Sequence, residues 1–202
     1  MVLWYNHDES EVSLLVRPIY IIPRDSGVLR ARSTRVRSVR EGSAVIQDLI
    51  DTWTDAHAYG LSAPQLGVLQ RVFLYRQEDG TPAVVVNPKL IAVRGEEKGY
   101  DGCLSIPGIY GTTRRPVDVE FTAEDAEGSR IRRRLRDFTA RIFLHELDHL
   151  EGVLFIDRLD SLDDLYTLGE SEEGEREEIP LSAQDRRFVA REQRPLPTFL
   201  TV

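Results

Sequence analysis

The sequence predicts an α+β fold in which short, mostly antiparallel strands pack around a central helix, and three observations predict it. Apolar residues recur at helical spacing in two stretches, short β-branched runs bounded by Gly and Pro lie between them, and one helical stretch carries His-Glu-x-x-His. Near the start, Val12, Leu14, Val16, Ile19 and Ile21 alternate weakly until Pro23 and Ser26-Gly27 interrupt them, which reads as an extended arm. From Ser43 to about Tyr59, the spacing of Val45, Ile46, Leu49, Ile50, Trp53 and Ala56 makes one buried helical stripe.

Gly60 and Pro64 end that helix, and RVFLYR, AVVVNP and KLIAVRG follow as strands. A Gly-rich bend, YDGCLSIPGIYG, leads to Val117, Val119 and Phe121. An alternating run from Arg130 to Arg134 then completes a β-hairpin closed near Ala126 to Gly128. The second helix spans about Asp137 to Leu150, with Phe138, Ile142, His145 and His149 on one face and Gly152 as its stop. Beyond Ile156 the periodicity fades. Residues 169–180 (GESEEGEREEIP) have the composition of a solvated, mobile linker, and Phe188, Pro195, Pro197 and Phe199 form no readable pattern. The organisation expected is an N-terminal arm over residues 1–18, a domain over 19–160, and an acidic, partly flexible C-terminal tail over 161–202.

Composition narrows the functional classes. With 41% hydrophobic residues, 202 residues suffice for one domain with a core. No apolar run approaches the roughly 18 residues of a spanning helix, and MVLWYNHDES lacks a signal-peptide pattern, so a cytoplasmic protein with no membrane partner is expected. Residues 160–180 hold nine acids against one Arg, enough to account for the whole net charge of −8. The remainder is near neutral, which argues against specific nucleic-acid binding. Arg130 to Arg136 suggests either ribosomal RNA or a solvated strand with alternating charges, and the second is the more economical. One cysteine, Cys103, excludes an internal disulfide.

His145-Glu146-Leu147-Asp148-His149 carries the chemistry. Two histidines four apart on a helix project from one face and can reach a single metal ion. Glu146 lies roughly 100° around the helix, where it can take a proton from a bound water. A surface helix with incidental histidines is the bland alternative. A hydrolytic site needs a third ligand, and Phe155 stands where one common pattern has a histidine. Cys103 is the other soft donor; alone it reads as a buried thiol, and beside an incomplete His pair it reads as a ligand. Asp148 either orients an imidazole or sits on the solvated face, the second being the usual place for a charged helical residue. His7 and His57 receive no role.

Three segments in order, Tyr59-Gly60-Leu61-Ser62-Ala63-Pro64-Gln65, Asp101-Gly102-Cys103-Leu104-Ser105 and His145 to Gly152, together resemble the motifs of peptide deformylases. The resemblance covers about residues 19–160. It implies removal of the formyl group from N-formylmethionine at the start of nascent polypeptides, with Fe(II) as the divalent metal and Zn(II) or Ni(II) as substitutes. It implies Cys103, His145 and His149 as metal ligands, Glu146 as general base and then acid, and Gln65 with the Leu104 backbone N–H as oxyanion donors. Gly60 and Gly102 would pair with substrate backbone. Tyr59 would border the pocket for the first side chain, or else pack in the core. The partners implied are formylated nascent chains, a transient contact with the ribosome, and no second subunit.

Three positions depart from the family pattern: Ala58 for Gly, Asp101 for Glu and Leu144 for Gln. Arg115 matches the usual ionic partner of the acid at 101, so a pair that orients the Cys103 loop is expected. The departures admit two other readings, a paralogue acting on a different N-formyl compound and a metal-retaining protein that binds formyl peptides or inhibitors. Retention of Glu146 and Gln65 argues against the second.

Overall fold

The computed structural model describes residues 16–56, 58–170 and 175–196. The expected arm over 1–18 therefore lies outside the described residues except for its last three, and His7, His57, Pro197 and Phe199 lie outside them too.

In chain order the elements are α1 (Ser26–Leu29), α2 (Val39–Ala56), β1 (Gly60–Ser62), β2 (Val72–Arg76), β3 (Pro82–Arg94), β4 (Glu97–Gly102), β5 (Tyr110–Arg115), β6 (Asp118–Glu124), β7 (Arg130–Arg136), α3 (Asp137–Leu150), β8 (Leu165–Glu170), β9 (Arg176–Pro180) and α4 (Ala183–Glu192). Two antiparallel sheets result, ordered β1-β2-β3-β6-β7 and β4-β5-β8-β9. This is the α+β architecture that the sequence predicts.

Helix α2 begins four residues before the apolar stripe because Ser38 precedes it as a cap, its Oγ accepting from the Glu41 N–H at 3.3 Å. Strand β2 is apolar at every position from Val72 to Tyr75 because both its faces are covered. Val72 and Leu74 join Val45, Leu49 and Trp53 of α2, whereas Phe73 and Tyr75 join Phe143 and Leu147 of α3. AVVVNP and KLIAVRG, expected as two strands, form the single strand β3. Asn87 takes φ 53° where the register shifts against β6, so Pro88 sits in a bulge instead of breaking the ladder. The Asn87 side chain locks that bulge, accepting from Val36 N at 2.9 Å and donating to Val36 O at 2.8 Å.

The β6–β7 hairpin turns through Asp125 to Ser129 as expected. Its exposed arginines face acids across the pair, Arg132 Nε donating to Glu120 and Arg134 Nε to Asp118, each at 2.8 Å. Helix α3 ends with Val153 N donating to Asp148 O and Gly152 N to His149 O, with Gly152 at φ 73°. A Cβ at Gly152 would stand 2.5 Å from the Arg30 carbonyl, so glycine also lets the N-terminal segment lie against the end of the metal-site helix.

The C-terminal region departs most from expectation. Where composition predicts a solvated tail from residue 161, strands β8 and β9 pair from Tyr166–Pro180 to Glu170–Arg176, and α4 follows. The reason is a small apolar set spaced among the acids. Leu165, Leu181 and Val189 are buried with Leu29, Ile106, Phe155 and Ile156 in a third core cluster. Polar contacts fix the helix further: Arg30 pairs with Asp157 and bonds to the Glu192 carbonyl, and Gln193 Nε2 donates to Ile156 O at 2.7 Å.

Candidate metal centre

Helix α3 places His145 and His149 on one face, their ring centroids 5.0 Å apart. The bend after β4 brings Cys103 to them. Cys103 Sγ lies 3.2 Å from His149 Nε2, and the donor atoms of all three residues fall within 4.8 Å of one another. Two imidazole nitrogens and a thiolate at that spacing fit one divalent ion of the borderline class, with room for a fourth, non-protein ligand. Among the described residues this is the group of three or more such donors that the fold gathers.

His145 is held by a chain of buried ionic groups. Its Nδ1 stands 2.7 Å from Asp101 Oδ1, leaving Nε2 to face the cluster. Asp101 Oδ2 accepts from Arg115 Nε at 2.8 Å and Thr113 Oγ1 at 2.9 Å, so the expected Asp101–Arg115 pair forms. Arg115 continues through Nη1 to Asp148 Oδ2 at 2.7 Å, and Arg158 closes on Asp148 through Nε and Nη2, both at 2.5 Å. Asp148 is thus buried at 3% exposure, which corrects the expected solvated position. Two guanidiniums compensate its charge, and both come from outside its own helix.

Burial and neighbours set the charge states. Burial would raise the Asp101 pKa, but Arg115 and then His145 outweigh it and hold the carboxyl well below the usual range. Burial lowers the His145 pKa, and Asp101 overcomes this and raises it. For His149, burial lowers the pKa and His145 adds to the effect. Burial pushes the Glu146 carboxyl up to about 7, against the pull of His145, and its Oε2 has no hydrogen-bond partner among the described residues.

The remaining motif residues converge on the same place. A Cβ at Gly60 would stand 2.5 Å from Glu146 Oε1, so the glycine makes room for this carboxylate. Gln65 is buried with its Oε1 fixed by Ser62 N at 3.0 Å and Ser62 Oγ at 2.9 Å. Its Nε2 therefore points toward Cys103 Sγ, at 3.6 Å, and Ser105 Oγ, at 3.3 Å. Tyr59, Gly60, Gln65, Gly102, Leu104 and Glu146 all line one cleft of about 1180 Å³. Tyr59 packs edge-on against Phe138 at 4.8 Å, and Gly102 accommodates Tyr110, whose Cδ1 would lie 2.7 Å from a Cβ there. Of the departures, Leu144 packs in the apolar cluster around Phe143, and Ala58 is buried against α2 residues.

Sequence reasoning missed several cleft residues. Phe138 and Arg141 precede His145 on α3, and Tyr100 precedes Asp101 on β4; all three line the cleft. The i, i+4 relation of Arg141 to His145 is the one signal that marks Arg141 beforehand.

A buried Cys-His-His donor set with a raised-pKa carboxylate beside it, in an antiparallel α+β frame, defines a metal-dependent hydrolase. The sequence model of the family described as Polypeptide deformylase matches residues 16–164, and the chain belongs to that family. The peptide deformylase of Thermomicrobium roseum is 38% identical over 162 residues, covering 76% of this chain and 92% of that protein. The structure of a peptide deformylase from Synechococcus elongatus in complex with actinonin matches with a TM-score of 0.72 at 29% identity, covering 96% of this chain and 99% of that one. That of the Thermus thermophilus enzyme matches with a TM-score of 0.67 at 34% identity, covering 71% and 86%.

Proposed function

We propose that this enzyme removes the formyl group from N-formylmethionine at the amino terminus of nascent polypeptides, releasing formate and a free amine. The observation that carries the reading is the position of Glu146. Its buried carboxylate, with a pKa of about 7, occupies the space that Gly60 leaves open beside the Cys103–His145–His149 cluster.

Cys103, His145 and His149 would hold one divalent ion, Fe(II) in the cell with Zn(II) or Ni(II) as substitutes. When bound, that ion supplies Lewis-acid polarisation of the formyl carbonyl and a water of lowered pKa. Glu146 takes the proton from the attacking water, a transfer suited to a group that titrates near neutrality, and then delivers it to the leaving nitrogen. Gln65 Nε2, held by Ser62 through the other end of its amide, donates to the developing oxyanion together with the Leu104 N–H. Each such donor is worth about 3 kcal/mol of barrier. Strands β1 and β4 end their respective sheets, and Gly60 and Gly102 lie on them at the cleft. An extended peptide pairs with these edges and presents its amino-terminal end to the cluster. Nascent chains place the reaction in the cytoplasm, beside the ribosome.

The test is turnover of a formyl-methionyl tripeptide by protein purified without oxygen and loaded with Fe(II), followed as free amine. Glu146→Ala should keep one metal per chain and lose turnover, and Cys103→Ala should lose both. Full activity in Glu146→Ala would overturn the assignment of the base.

A further inference from the structure

Arg141 lies one helical turn before His145 on the same face of α3 and lines the cleft, half-buried, on the approach to the metal cluster. Its guanidinium is fixed flat against β4 and β5. Nη1 donates to Gly99 O at 3.1 Å, Thr113 O at 3.2 Å and Thr113 Oγ1 at 3.0 Å, and Nη2 donates to Glu97 O at 2.9 Å. Gly99 permits this seat, since a Cβ there would fall 2.9 Å from Nη2 and 3.0 Å from Cζ. All of these acceptors are neutral. The nearest buried carboxylate, Asp101, is already bound by Arg115, Thr113 and His145. The cleft thus contains a positioned cation that no carboxylate hydrogen-bonds, flanked by the exposed rings of Phe138 and Tyr100.

Building on the deformylase reading, the formamide carbon must reach the cluster, and the substituent nearest it is the first side chain of the peptide. That side chain meets the exposed face of α3 immediately before His145, where Phe138, Arg141 and Ile142 stand. We infer that Arg141 makes the cleft selective for formylated amino termini whose first side chain has an aliphatic stem ending in a strongly polarised or charged oxygen. Phe138 and Tyr100 cover the stem, and the guanidinium receives the oxygen. A carboxylate and the sulfoxide of oxidised methionine share this chemistry, whereas the methionine thioether is a weak acceptor and norleucine is none. A cationic side chain is rejected by like charge.

The experiment compares formyl-X-Ala-Ser peptides, with X as norleucine, methionine, methionine sulfoxide, glutamate or lysine, on the Fe(II)-loaded enzyme and on Arg141→Leu and Arg141→Lys. The expected result is a ratio of kcat/KM for sulfoxide or glutamate over norleucine that falls about tenfold or more in Arg141→Leu, the range for a hydrogen bond to a charged group. Arg141→Lys should retain most of that ratio for glutamate. If glutamate gains and sulfoxide does not, charge is what the cleft reads; gains in both assign it to the oxygen acceptor. A ratio unchanged in Arg141→Leu overturns the inference, and because it is measured within each variant, a merely structural loss of activity does not move it. Absence of turnover on every peptide would instead overturn the deformylase reading. In that case the ratio of peptide affinities by calorimetry, wild type against Arg141→Leu, decides the role of Arg141 by the same criterion.

Discussion

Asp101 and Glu146 are both buried carboxylates beside His145, and their surroundings drive them in opposite directions. Asp101 accepts from Arg115, Thr113 and His145, and is held ionised far below the usual range. Glu146 sits where burial dominates, with one oxygen unpartnered among the described residues and a pKa of about 7. One group is a fixed charge that orients an imidazole, the other a proton carrier near neutrality. The lesson is that role follows the number of donors the fold delivers, not the residue type.

The most disruptive way to break this contrast is to remove the cation that ionises Asp101. Arg115→Met leaves Asp101 and Asp148 buried without a shared partner and should cost about 3–5 kcal/mol of stability, read by urea unfolding. On the Glu146 side, Gly60→Ala pushes a methyl into the carboxylate and should lower kcat about a hundredfold with metal content unchanged, a misplacement effect measured by steady-state kinetics. Asp101→Asn keeps the shape but loses the charge behind His145. Metal affinity should fall about 10–100-fold, measured by competition with a chelating dye.

The smallest effect is the most direct comparison. In metal-free protein, the raised Glu146 pKa means that the folded state prefers the protonated acid. Its contribution to stability is complete below its ordinary value of 4.5 and is lost as pH rises to about 7. Wild type should therefore lose stability relative to Glu146→Gln across that window, with a flat difference above it. Asp101 runs the other way, its contribution present above 3.8 and lost as pH falls below it. Parallel slopes for Glu146→Gln and Asp101→Asn would show that the two pockets are not opposed.

Much of the candidate site can be read from the chain because its determinants are local. His145 and His149 are one turn apart in any helix, and Gly60, Gln65 and Cys103 stand in short motifs whose resemblance to a family needs no contact map. Asp148 escaped because its partners, Arg115 and Arg158, lie 33 and 10 residues away and meet it only after folding. Arg141 escaped because its seat is made of main-chain carbonyls on two other strands. The β8–β9 pair escaped because acids dominate its composition and obscure Leu165, Tyr166 and Leu181, the residues that bury.

By itself the sequence determined the helix that carries the histidines, the donor types gathered near it, and the α+β class, all consequences of periodicity and spacing along the backbone. Tertiary structure alone decided which carboxylate is ionised, where the cleft places an unshared guanidinium, and that the acidic end of the chain packs on the core. Those properties depend on desolvation and on pairs of groups far apart in sequence, and neither exists until the chain has closed around them.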